Sequence, residues 1–130
     1  MAEHVAQLCR DHRIHVHARQ SYGGWASKKR RVICVKPVKT QRTYIVALHE
    51  IGHILGAGRS GTRLEQEAAA WAFVCEVSVV PLSPATYGRM LQYLQSYLVR
   101  ASRRKRMIIP PPAHWFWDVY RHILACSEAE

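Results

Sequence analysis

Long apolar runs are missing from these 130 residues, and none approaches the roughly 18 that a membrane-spanning helix requires. The opening stretch MAEHVAQLCR has no charged start, extended apolar core or small-residue cleavage site of the kind a secretory leader carries. Both absences predict a soluble protein kept in the cytoplasm, with no membrane partner. No two of Cys9, Cys34, Cys75 and Cys126 stand at CxxC spacing. The cysteines therefore read as buried reduced thiols, not as disulfides or a cysteine-built zinc site. Acidic residues are scarce, 9 against 19 Lys and Arg, for a net charge of +10. The excess gathers in KKRR at 28–31 and RASRRKR at 100–106. Such a balance points to an acidic partner, most commonly nucleic acid. A solvated basic face explains it equally well, because neither cluster is interleaved with the aromatics or glycines of a nucleic-acid module. There is no internal repeat.

What is present suffices for a core. Apolar residues make up 48% of the chain, and its length fits one domain over 1–130 that folds without disulfide staples. Residues 3–12 read as a short helix with Val5, Leu8 and Cys9 on one face. RIHVHARQ alternates, which predicts a half-buried strand with Ile14, Val16 and Ala18 inward. SYGG is turn chemistry, a second strand begins near Trp25, and RVICVKP reads as a strand ending at Pro37. From Thr40 the period becomes helical through Tyr44, Ile45, Leu48, Ile51 and Leu55, until the glycines of GAGRSG end it. Thr62 with Glu65 forms a capping-box signal for a very apolar helix over about 63–79. Ser83 and Pro84 open a third long helix over about 84–103, with Met90, Leu91, Leu94, Tyr97 and Leu98 inward. The aromatic-rich tail after the proline run packs back on the domain. Strands followed by helices make the expected class α+β.

The chemistry lies in ALHEIGHILG, residues 47–56. On a helix, residues four apart differ by about 40° around the axis, so His49 and His53 project side by side. Two imidazoles so placed can share one metal ion, while Glu50, about 100° round from His49, sits where a base would stand. Zinc with three protein ligands lowers the pKa of a water in its fourth position towards roughly 7, and a neighbouring carboxylate can take that proton. The next helix offers Glu65, Glu67 and Glu76 as a third ligand. Glu65 is engaged in the capping box and Glu76 lies at the far end. Glu67 directly precedes the apolar run, where an unpaired carboxylate is costly to bury. The plain alternative is two solvated or core-satisfied histidines, and the glycine after the helix and the embedded glutamate weigh against it.

RTYIVALHEIGHILG followed by LEQEAAAWAF resembles the ImmA/IrrE-type zinc metallopeptidases of phages and mobile elements, over about residues 31–82. The resemblance implies a minimal zincin-like fold: a small N-terminal sheet, an active-site helix, a glutamate helix and a C-terminal helix. It implies Zn2+ held by His49, His53 and Glu67, Glu50 as general base, and a bacterial host cytoplasm. It also implies an intracellular protein substrate, such as a mobile-element regulator. In zincins the strand before the active-site helix often pairs with an extended peptide, which points to RVICVKP. Three departures stand out: a shorter loop between His53 and Glu67, Ala69 where the family often has Asn or Asp, and no helix-turn-helix domain.

Tyr87 and His114 are candidates for an oxyanion donor by residue type alone. His12, His15 and His17 form a trio that reads first as a solvated strand face. The rival functional reading is a nucleic-acid-associated or anti-restriction protein with a structural or vestigial zinc site. Against it, a purely structural site has no need of Glu50 and normally closes its fourth position with a protein ligand.

Overall fold

The structure is a computed structural model describing residues 1–56, 61–104 and 108–129. It is mixed α and β, with five helices and a three-stranded sheet among the described residues. The order is α1 (Ala2–Asp11), β1 (His15–Ala18), β2 (Trp25–Ser27), β3 (Val32–Val35), α2 (Gln41–Ile54), α3 (Arg63–Val77), α4 (Pro84–Arg103) and α5 (Trp115–Ser127).

The helix starts follow from side-chain chemistry. Thr40 caps α2 in a reciprocal box with Thr43, and Thr62 caps α3 in the same way with Glu65. Ser83 accepts from the Thr86 N–H at the head of α4, where Pro84 occupies the first turn. The tail after the proline run forms α5, capped by His114 and sealed into the core through Phe116 and Ile123.

The sheet departs from the sequence reading in two ways. Its order is β1-β3-β2, with β1 parallel and β2 antiparallel to β3. RVICVKP is therefore the central strand. Both its edges are occupied, and it cannot accept a further strand. The free edge beside the helices belongs to β2. The second departure is β1, exposed throughout with Val16 at 50%. Only Ile14, just before it, is buried. The reason is the position of α2, which covers β2 and β3, so that the alternation of β1 has no core to face.

The core centres on α2, whose Tyr44, Ile45, Leu48 and Ile51 are sealed from solvent together with Ile33 of β3. The Tyr44 hydroxyl is satisfied there by His4 Nδ1 at 2.6 Å and by the Val79 N–H at 3.1 Å. Gln41 ties the head of α2 to the next junction: it donates to the Pro81 carbonyl and accepts from the Ser83 N–H and the Thr86 hydroxyl. All four cysteines are free thiols, and only Cys9 is fully buried. No helix among the described residues is long and apolar enough to cross a membrane.

Candidate metal centre

One face of α2 carries His49 and His53, and α3 carries Glu67 towards them. How closely the helices approach depends on Gly52, between the two histidines. A Cβ there would lie 3.0 Å from Phe73 Cδ1 and 3.4 Å from the Ala70 Cα. The glycine thus lets α3 come near enough for one carboxylate to reach both rings. Gly56 then takes φ 81° just after α2, a conformation that suits glycine. The rest of the turn, 57–60, lies outside the described residues.

The three side chains converge. His49 Nε2 is 2.7 Å from Glu67 Oε2, His53 Nε2 is 3.2 Å from Glu67 Oε1, and the two Nε2 atoms are 3.1 Å apart. Glu67 is 2% exposed, His49 6% and Glu50 7%. His49, Glu50 and His53 bring one donor atom each within 4.8 Å of the others, a group that could hold a metal ion. Burial alone would raise the Glu67 pKa. The hydrogen bonds with His49 and His53 outweigh it and hold the carboxyl well below the usual range. Burial lowers the His49 pKa and so favours its neutral ring. A neutral imidazole beside an ionised carboxylate is the state in which both can ligate a cation.

Glu50 differs from Glu67. Its carboxyl makes no hydrogen bond among the described residues, and burial pushes its pKa up to about 7. Gly24 matters here, because a Cβ on it would lie 3.2 Å from Glu50 Cγ and 3.1 Å from Val46 Cγ1. The backbone leading into β2 passes close over Glu50, and a side chain at Gly24 would require Glu50, Val46 and Val35 to shift by a few tenths of an ångström.

The His49 ring is oriented by a tilted ring contact at 31°. It lies 3.9 Å from Trp71, which stacks on Tyr93 at 5.4 Å and 11°. His49 Nδ1 and Trp71 Nε1 are both buried without a partner among the described residues. With no hydrogen bond on Nδ1 among the described residues, the ring contacts of Trp71 and Tyr93 hold the imidazole in place.

These residues floor a cleft of about 520 Å³. One wall is Tyr22 to Ala26 with Lys28, and the other is the α4 stripe of Tyr93, Ser96, Tyr97 and Arg100. Tyr22 is fixed between Lys36 and Arg42, whose cations lie 4.0 and 3.6 Å from its ring centre. Arg63 stands at the mouth, 3.2 Å from Glu67 Oε1.

The two candidate oxyanion donors lie elsewhere. His114 caps α5 and pairs with Glu65 at 3.1 Å, and neither it nor Tyr87 lines the cleft. The phenols that do line it are Tyr22 on one wall and Tyr93 and Tyr97 on the other. The spacing of Tyr93 and Tyr97 with Arg100, i, i+4 and i+7, was the available signal for a shared face on α4. For Arg63, which the sequence reading did not single out, the available signal was its i−4 spacing from Glu67. The trio His12, His15 and His17 forms no metal-competent group among the described residues. Of the basic clusters, 28–31 is the turn joining β2 to β3, with Arg31 at φ 54° donating to the His12 carbonyl. In 100–106, Lys105 and Arg106 lie outside the described residues.

Compared with protein-family models, with curated proteins and with solved structures, the chain finds no match in any of the three.

Proposed function

We propose that this chain is a zinc-dependent metallopeptidase of zincin type, cleaving peptide bonds in an intracellular protein. His49, His53 and Glu67 would hold the metal, and Glu50 would act as general base. One observation carries the reading: two imidazole nitrogens and a carboxylate from neighbouring helices meet at the floor of an open cleft, with a second, unpaired carboxyl beside them. The donor set fits zinc. At zinc–ligand distances of 2.0–2.1 Å, tetrahedral donors stand about 3.3 Å apart. The His49–His53 and His53–Glu67 separations of 3.1 and 3.2 Å are close to this. The 2.7 Å His49–Glu67 contact is a hydrogen bond that deprotonation of Nε2 would release. The resemblance of RTYIVALHEIGHILG and LEQEAAAWAF to ImmA/IrrE-type peptidases supports the same assignment and directs attention to mobile-element regulators as substrates.

Zinc bound there would supply Lewis acidity and lower the pKa of a water towards roughly 7. The chain's own residues do the rest. Glu50, unpaired and facing the cleft, takes a proton from the attacking water and delivers it to the leaving nitrogen. The free edge of β2 offers backbone donors and acceptors to an extended peptide. Tyr93 and Tyr97 present phenols towards the place where negative charge develops on the carbonyl oxygen.

The test is Glu50→Gln. Zinc content by metal analysis should match the wild type, while hydrolysis of a protein substrate falls by about 10²-fold or more. Equal hydrolysis by the variant would remove Glu50 from the role of base. Failure of the wild type to take up zinc from excess would remove the enzyme reading altogether.

A further inference from the structure

The cleft carries three cationic side chains against two carboxyls. Of its lining residues only Glu50 and Glu67 are acidic, and Glu67 is turned to the histidines and Arg63. Lys28, Arg63 and Arg100 all open onto it. Lys28 and Arg100 form no ion pair among the described residues. The two guanidiniums share one platform. Arg63 lies 5.6 Å and Arg100 5.1 Å from the centre of the Tyr97 ring, and Arg63 also donates to the Tyr97 hydroxyl at 3.4 Å. Stacking on an aromatic face positions a guanidinium without neutralising it, so the N–H fork of Arg100 remains available to a carboxylate, while Arg63 keeps one nitrogen on Glu67 and Tyr97 and offers the rest of its fork. A concave site with an excess of one sign of charge at its rim concentrates ligands of the other.

Resting on the peptidase reading above, we propose that the cleft selects acidic peptide segments. An Asp or Glu side chain near the scissile bond is held by Arg63 and Arg100 beside Tyr97, with Lys28 facing it from the opposite wall. Phosphate could pair with the same cations, but two features favour a peptide. The cations sit around a pocket bounded by the free edge of β2, which matches a peptide backbone. The two arginines are also gathered on one ring, whereas a nucleic-acid backbone calls for cations spread along a track.

The experiment uses the full chain with zinc added. Binding to the Glu50→Gln variant is followed by fluorescence anisotropy with fluorescein-labelled dodecapeptide pools of acidic, neutral or basic flanks, and with a single-stranded dodecanucleotide. The wild type is offered the same pools and cut products are read by mass spectrometry. The acidic pool should bind on the order of tenfold more tightly than the neutral one. Arg100→Glu, an exposed change on α4, should abolish that preference, and Arg100→Lys should keep most of it. Equal binding of all pools, or an oligonucleotide that displaces the acidic peptides with equal affinity, overturns the proposal. Arg100-dependent binding of acidic peptides that the wild type leaves uncut supports the acidic site and sinks the peptidase reading. Cleavage of every pool alike does the reverse.

Discussion

Glu50 is a carboxyl group buried without a hydrogen bond among the described residues, an arrangement that destabilises the fold whenever the group is ionised. Its pKa rises from an ordinary 4.5 to about 7 in the folded protein. Between those values the native state binds more protons than the unfolded chain, so this group's contribution to stability falls as pH rises through that window. Below about pH 4.5 the penalty is absent, and above pH 7 it is complete, at about 3 kcal/mol. Glu50→Gln should therefore stabilise the metal-free protein at pH 8 and leave it unchanged near pH 4.5. Paired urea melts at the two pH values measure this, and equal stability of variant and wild type at pH 8 would mean the carboxyl is better solvated than its burial indicates. Trp71 makes a second residue-scale case. It orients His49 by a tilted ring contact but carries a buried N–H without a partner among the described residues. Trp71→Phe removes that unsatisfied donor and keeps a ring under the imidazole, so the loss should stay below about 1 kcal/mol. Trp71→Ala should cost about 3–5 kcal/mol and weaken zinc binding on the order of tenfold. Thermal melts and zinc titration separate the two effects.

Helices in this chain were legible because their signals are local. Thr40, Thr62 and Ser83 are caps, Pro84 fits only a first turn, and the apolar period through Tyr44, Leu48 and Ile51 needs no knowledge of the partner. The same locality made His49, Glu50 and His53 readable as a cluster and drew attention to Glu67. The sheet was less legible, because strand order is a property of long-range pairing. Nothing within RVICVKP says that β1 and β2 will flank it, and nothing in RIHVHARQ says that α2 will stop short of it. The walls of the cleft were missed for a related reason: Arg100 and Tyr97 become site residues only once α4 is laid against α3. Gly52 links these levels. Its substitution by Ala adds helix propensity worth about 1 kcal/mol and crowds Phe73, two effects that nearly cancel. Gly52→Val has no such compensation. It should force α2 and α3 apart, cost about 1–3 kcal/mol and weaken zinc binding more than Gly52→Ala does. Zinc affinities in the order wild type, Ala, Val would bear this out, and identical affinities would mean the helices do not need the glycine to bring Glu67 within reach.

For the whole molecule, a net charge of +10 and the proposed metal centre make separable predictions. If the positive surface serves nucleic acid, log K should fall steeply with log salt, and neutralising Arg103 and Arg104 should flatten the slope by about one unit for each phosphate no longer paired with a cation. A flat dependence would leave the charge to solubility and to the cleft. The metal centre couples to folding in another way. In the described fold the donors come from two helices, with His49 on α2 and Glu67 on α3 lying 18 residues apart in sequence. The unfolded chain cannot hold them together, so zinc binds the native state and shifts the unfolding equilibrium by mass action. At a free zinc concentration one hundred times the dissociation constant, the gain is about 2.7 kcal/mol. With an unfolding entropy near 2.1 cal/mol/K per residue, a chain of this length should melt about 10 °C higher. Chelation should reverse the shift, and the effect should grow with zinc concentration instead of saturating at a fixed increment. Glu67→Gln removes the charged ligand but keeps its shape, and should lose most of the zinc-dependent shift. A Glu67→Gln protein that melts as far above its zinc-free form as the wild type does would place the ion somewhere other than between α2 and α3.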